Sequence, residues 1–84
     1  MTINWTIVAS NISEAREVLE SIEAKIAAGT PPDDVDLQIA IQHAFHHLNI
    51  AWNIRNESDD RYANLSQLDF ERWGRFPHDL TFGD

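Results

Sequence analysis

The residues with the clearest capacity for chemistry are two histidines, His43 and His47, which are four positions apart. On an α-helix this spacing places both imidazoles on one face, where they could bind one metal ion. Their own segment supplies no third ligand, because no carboxylate lies between Asp36 and Glu57, and Asp36 is about 10 Å from His43 along a helix axis. The other candidates for a further ligand are Glu20, Glu23, His78 and residues of a second chain.

No other pattern in the sequence indicates an enzyme. The chain has no cysteine, which excludes thiol nucleophiles, disulfides and thiolate metal sites. Its three glycines are scattered and form no phosphate-binding loop. We therefore predict a non-enzymatic protein with no catalytic residue, no metal and no other cofactor. A metal- or cofactor-binding helical bundle that uses His43 and His47 is the alternative.

Composition and charge narrow the class of protein and of partner. Fourteen acidic and six basic residues give a net charge of -8, which repels nucleic acid and anionic membrane surfaces. The apolar fraction of 43% includes three Trp and four Phe, enough for one folded domain over residues 1–84. A chain this short buries only about 60 to 65% of its surface, so self-association would reinforce it. The first residues lack the pattern of a signal peptide, and we expect a cytoplasmic protein.

The histidines lie in an uncharged segment of eighteen residues, Leu37 to Ile54. Its apolar positions cover about half of a helix circumference, wider than one neighbouring helix can bury. The rest of this helix is polar but neutral, which excludes a membrane span. We therefore predict that a helix over residues 33–58 is contacted on more than one side and forms a homodimer interface. The expected interface residues are Leu37, Ile41, His43, Phe45, His47, Leu48, Ile50, Trp52 and Ile54.

The first helix is predicted from an apolar series at alternating spacings of three and four. The series is Trp5, Val8, Ile12, Ala15, Leu19, Ile22 and Ile26. It favours a helix from about Asn4 to Ala28, ended by Gly29. The β-branched residues at the beginning of the chain would by themselves suggest a strand. The alternative is a helix that begins only at Asn11, where N-I-S-E has the form of a capping box.

Short connections and caps predict the remaining elements. The link T-P-P-D-D makes the two long helices an antiparallel hairpin. Ser66, with Asp69 three positions on, begins a short third helix that ends at Trp73 before Gly74. The tail after Gly74 is apolar enough to lie across the hairpin. The antiparallel register brings Arg55 toward Val8 and Trp5, where its guanidinium could stack on the indole. The alternatives are that its stem lies on the core with its head in water, or that it pairs with Asp59.

Together these features predict an all-α fold: a hairpin of two long helices with a short third helix and an apolar tail, which dimerises into a helical bundle. The expected function is that of a small acidic protein-interaction module that binds a second copy of itself and an unidentified protein partner. If neutral His43 and His47 border the dimer interface, their protonation would weaken association in acid.

Overall fold

The computed structural model describes residues 2–77 and Asp79, which form four helices and no strand. They are α1 (Trp5–Ala27), α2 (Asp34–Asn53), α3 (Asp59–Ala63) and α4 (Gln67–Trp73). The prediction of an all-α fold with two long helices is confirmed. Two details differ from expectation: α2 ends at Asn53 rather than near residue 58, and the chain then forms an additional short helix, α3.

Helix α1 takes the longer of the two forms considered. Its N-cap is Asn4, whose side chain accepts a hydrogen bond from the Ile7 amide and donates to the Glu57 carbonyl at 3.0 Å. Asn11 lies inside the helix and is only 1% exposed, so the interpretation of a start at Asn11 is wrong. Within α1 the buried residues are Ile7, Asn11 and Ala15. Four members of the predicted apolar series, Trp5, Ile12, Leu19 and Ile26, are exposed, so the series marks the helix without being buried in this chain.

The hairpin connection is fixed by caps at both ends. Gly29 has φ of 80°, and the Thr30 amide bonds the Lys25 carbonyl at 2.9 Å while the Gly29 amide bonds Ile26, the pattern of a Schellman motif. The Asp33 carboxylate then caps α2 by accepting from the Asp36 amide at 2.8 Å. The short link makes α1 and α2 antiparallel neighbours.

The core lies at the open end of this hairpin. Ile7, Ile50, Ile54 and Trp73 are buried together, and the partly buried Tyr62 and Leu65 pack against them. Helices α3 and α4 thus fold back over the start of α1 and the end of α2. A backbone bond of 2.6 Å from the Asn4 amide to the Arg55 carbonyl closes the same end.

The C-terminal half of the neutral polar face of α2 contacts α4, whereas Gln38 and Gln42 in its first half are exposed. The Asn49 amide donates to the Gly74 carbonyl at 2.9 Å, and the Asn53 amide donates to the Trp73 carbonyl at 2.7 Å. These carbonyls lie at the C-terminal end of α4, where backbone carbonyls have no hydrogen-bond donor within the helix. His46 also faces α4, with its ring centroid 4.2 Å from that of Phe70. Uncharged amides suit this position because they satisfy carbonyls without burying a charge.

Helix α4 begins with the predicted capping box. The Ser66 hydroxyl accepts from the Asp69 amide at 3.1 Å, and the Asp69 carboxylate accepts from the Ser66 amide at 3.0 Å. The same carboxylate, 8% exposed, pairs with Arg61 at 2.7 Å and Arg72 at 3.0 Å. The hydrogen bond from Arg61 and that from the Ser66 amide hold the pKa of Asp69 well below its ordinary value.

This lowered pKa predicts an acid-dependent loss of stability. The unfolded chain binds a proton at Asp69 near pH 4, whereas the folded chain does so only at lower pH. The carboxylate therefore stabilises the fold above about pH 4, and this contribution is lost as the pH falls further. We expect Asp69→Asn to be less stable than the wild type at pH 6, and we expect this difference to be smaller at pH 3. Urea denaturation at both pH values measures this, with Asp60→Asn as an exposed control on α3. A constant difference across pH would contradict the prediction.

Gly74 ends α4 for a reason that the sequence does not show. Its φ of -79° is one that any residue adopts, so no left-handed cap is formed. However, a Cβ atom at this position would overlap Nδ1 and Cε1 of the His46 ring. The glycine therefore provides space for His46 between α2 and α4.

We accordingly expect Gly74→Ala to lower the free energy of unfolding by about 1 to 3 kcal/mol, since the His46 ring must leave its packed position. Adding His46→Ala removes the overlap, so the double variant should lose less stability than the two single variants together. Urea denaturation of the four proteins measures the coupling. Additive losses would show that the two positions do not interact.

Candidate interaction surface and histidine pair

Small side chains are the most deeply buried apolar residues between the middle parts of the two long helices. Ala15 of α1 and Ala44 and Ala51 of α2 are buried along the contact. Because alanines let the helix axes come close, the larger apolar residues beside them lie at the edge of the contact rather than within it. The wide apolar arc of α2 is therefore only partly covered by α1.

One side of the hairpin consequently exposes a largely apolar surface, which we call the apolar face. Its seven residues are Trp5, Ile12, Leu19 and Ile26 of α1 and Leu37, Ile41 and Leu48 of α2. Each is between 40% and 67% exposed, and none carries a charge. A groove of about 250 Å³ runs along part of this face between Val8 and Ile12 of α1 and Leu48 and Ala51 of α2. Isolated exposed apolar residues are ordinary, but a contiguous set of this size is typical of an interaction site.

The structure divides the nine residues predicted for the interface into three groups. Leu37, Ile41 and Leu48 belong to the apolar face, and the exposed Phe45 and partly exposed Trp52 lie beside it. Ile50 and Ile54 are buried in the core of this chain, so they cannot contact a second copy in this fold. His43 and His47 form the third group and lie on the other side of the hairpin.

Part of the C-terminal tail lies along α2 next to the apolar face. Phe76 stacks with Phe45 at 6.5 Å between ring centroids, and the Trp52 indole donates to Asp79 at 2.9 Å. This hydrogen bond, with a smaller effect of Arg55, lowers the pKa of Asp79. His78, a predicted candidate ligand, and Leu80 and Phe82, which contribute to the apolar character of the tail, lie outside the described residues.

Arg55 stacks on an indole ring and forms an ion pair, but its partners are not the residues that the sequence suggested. Its guanidinium lies 3.8 Å from the centre of the Trp52 ring, not over Trp5, and its ion-pair partner is Asp79 at 3.5 Å, not Asp59. Helix α2 ends two residues before Arg55, which turns the side chain back onto its own helix. Asp59 instead accepts a hydrogen bond from Asn4 at 2.9 Å.

His43 and His47 lie on the opposite side of the hairpin from the apolar face. Measured around α2 from Ala44, which faces α1, Ile41 and Leu48 lie about 40° to 60° to one side and the two histidines about 60° to 100° to the other. His43 lines a second groove, of about 530 Å³, which shares no residue with the apolar groove. Its walls include Glu14, Glu17 and Asp36. His43 and His47 therefore lie on a different side of the hairpin from Leu48, and their place in an interface stays a prediction.

The two imidazoles form one chain of hydrogen bonds with α1. Asn11 donates through Nδ2 to the Ile7 carbonyl at 3.0 Å, which leaves Asn11 Oδ1 as the acceptor for His47 Nδ1 at 2.9 Å. His47 therefore carries its proton on Nδ1, and its Nε2 accepts from His43 Nε2 at 3.1 Å.

Burial disfavours the protonated form of two of the imidazoles. It lowers the pKa of His46, and the nearby His47 and His43 lower that pKa further. It also lowers the pKa of His47, with a further decrease from His43 and an opposing effect of Glu14 across the helix contact. His46 Nε2 is buried with no hydrogen-bond partner among the described residues.

The described residues contain no group of three or more His, Asp or Glu residues arranged to hold a metal ion. None of their helices has the length and apolar character of a membrane-spanning segment.

Comparisons of this chain with protein-family models, with curated proteins and with solved structures found no match. Its function is therefore inferred from the chemistry of the two sides of the hairpin.

Proposed function

We propose that this chain is a small acidic, non-enzymatic interaction module that forms a homodimer through its apolar face. The observation that supports the proposal is the exposure of seven large apolar side chains along one side of the hairpin. The sequence prediction of self-association through α2 is retained in this form, with α1 as an equal contributor. A cytoplasmic location and a further protein partner on the surface outside the dimer belong to the same proposal.

The size of the face fits a stable dimer. It extends from Trp5 to Ile26, about 30 Å along α1, and two helices that are each about 10 Å across make it about 20 Å wide. This gives roughly 600 Å² of projected area, comparable to the roughly 800 Å² that each partner contributes to a standard interface. A chain of 84 residues gains little stability from its own core. Burying apolar surface of this extent in a dimer would add to that stability.

The pattern of the face favours a second copy as its occupant. Trp5, Ile12, Leu19 and Ile26 recur every seven residues, as do Ile41 and Leu48, and this repeat suits the packing of two hairpins into a four-helix bundle. In a two-fold dimer each face meets itself, so charged residues within it would repel their counterparts. The seven residues that define the face are uncharged although the chain as a whole carries -8, and Arg55 lines the groove that runs along it. This small local charge suits contact between like-charged copies.

The experiment is sedimentation equilibrium of the untagged chain over about 1 to 100 µM, the range in which dimers of moderate affinity dissociate. We expect a mass approaching twice the 9.6 kDa of one chain. Added salt should strengthen association, because it screens the repulsion between two acidic molecules without weakening apolar contacts. A mass of one chain throughout this range would refute the proposal.

A further inference from the structure

We infer that His43 and His47 form a binding site for a divalent transition-metal ion of the zinc, nickel or copper class. The site lies on the side of the hairpin away from the apolar face, so it does not depend on the proposed dimer. It uses two protein ligands, and water completes the coordination of the ion.

The distance between the two nitrogens fits metal coordination. His43 Nε2 and His47 Nε2 are 3.1 Å apart. Two imidazole nitrogens that each lie 2.0 to 2.1 Å from one ion, at angles between 90° and 109°, are separated by about 2.8 to 3.4 Å. An ion could therefore replace the hydrogen bond between the rings with little movement of either side chain.

Asn11 prepares one of the two ligands. Its carbonyl oxygen accepts from His47 Nδ1, which fixes the ring orientation and directs the Nε2 lone pair toward His43. Asn11 is itself held by hydrogen bonds to the Ile7 carbonyl and the Tyr62 hydroxyl. Metal-binding histidines characteristically donate their second ring nitrogen to such a fixed oxygen. The exposed His43 is free to change tautomer when its Nε2 binds the ion.

The surroundings determine the class of ion. Two neutral imidazoles favour zinc, nickel and copper over magnesium and calcium, which require oxygen ligands. The groove that His43 lines also contains Glu14, Glu17 and Asp36, with Lys25 as its basic residue. These carboxylates attract a cation, and the open groove gives it access and leaves coordination positions for water.

The test is calorimetric titration of the untagged, metal-free chain with Zn²⁺ and, separately, Ni²⁺ at pH 7.5. We expect one ion per chain. His43→Gln and His47→Gln should each weaken binding at least about tenfold, whereas the matched control His46→Gln, which alters the adjacent imidazole facing α4, should leave affinity within about threefold. Because His43 is exposed, we expect His43→Gln to remain folded. Its titration therefore tests the inference even if His47→Gln unfolds.

A second variant tests the geometry rather than the mere presence of histidines. Asn11→Ala retains both ligands but removes the oxygen that orients His47, and it should weaken binding about 10- to 100-fold. Circular dichroism confirms that the variant remains helical; if it unfolds, Asn11→Ser replaces it. Absence of binding, equal affinity in the wild type and His43→Gln, or an equal loss in His46→Gln would each overturn the inference. Repeating the titration on Ile41→Glu, which alters only the apolar face, separates this result from the fate of the dimer.

Discussion

Replacing Ile41 with glutamate is expected to convert the proposed homodimer into monomers. Ile41 is 51% exposed in the single chain and lies in the apolar face. In a dimer built on that face, the substitution places two unpaired carboxylates in a buried apolar contact, and each loses solvation that no partner replaces. We expect the dissociation constant to rise at least about 100-fold, which corresponds to about 2.8 kcal/mol. Sedimentation equilibrium over the same concentrations as for the wild type measures the change.

The matched control is Ile39→Glu. Ile39 is on the same helix and is 58% exposed, but it lines the groove that contains His43 and lies on the other side of the hairpin. The two variants have the same net charge, so general repulsion affects them equally. We expect Ile39→Glu to associate within about threefold of the wild type. Equal weakening by both variants would show that the apolar face is not the contact surface.

The boundaries of the helices were largely predictable from the sequence. The start of α1, the antiparallel hairpin and the capping box of α4 all depend on residues close together in the chain, such as Ser66 with Asp69 and the apolar series that begins at Trp5. Caps and spacing act locally, so their physical effect can be derived without knowledge of the fold. Helix α3 was missed because Asp59 and Asp60 are equally suited to a frayed helix end and to the first turn of a new helix.

The faces of α2 were much less predictable. Its apolar arc is wider than any single neighbour covers, so the sequence did not distinguish Ile54, which α3 and α4 bury, from Leu48, which stays exposed. The direction of each face depends on where the chain returns after α2, and only tertiary contacts determine that. His43 and Leu48 were assigned to one interface because they border the same arc from opposite edges.

One signal for the position of α4 was present in the sequence. Asn49 and Asn53 are four residues apart on the neutral face of α2, and their side-chain amides bind carbonyls at the end of α4. Two amides at that spacing in a segment free of charges indicate a buried polar contact, because exposed helix faces normally carry charged residues. The partner helix, however, could not be identified from the pattern.

Truncation of Ile54 to alanine should have the largest effect on stability of any substitution considered for this chain. The Ile54 side chain is fully buried and packs in the cluster formed by Ile7, Ile50 and Trp73. Removing three carbon atoms there loses apolar burial and leaves a cavity, at a cost of about 2 to 5 kcal/mol. A domain of this size has a total stability of roughly 4 to 13 kcal/mol, so the variant should be partly unfolded at 37 °C or close to it.

Urea denaturation compares Ile54→Ala with Ile39→Ala, which makes the same change at an exposed position of α2. The exposed substitution should alter the free energy of unfolding by no more than about 0.5 kcal/mol. Both measurements require protein concentrations below the dissociation constant of the dimer, since association would otherwise stabilise the folded state. A small loss in Ile54→Ala, together with weaker self-association, would contradict the structure, because it would mean that Ile54 contacts a second copy rather than Ile7 and Trp73.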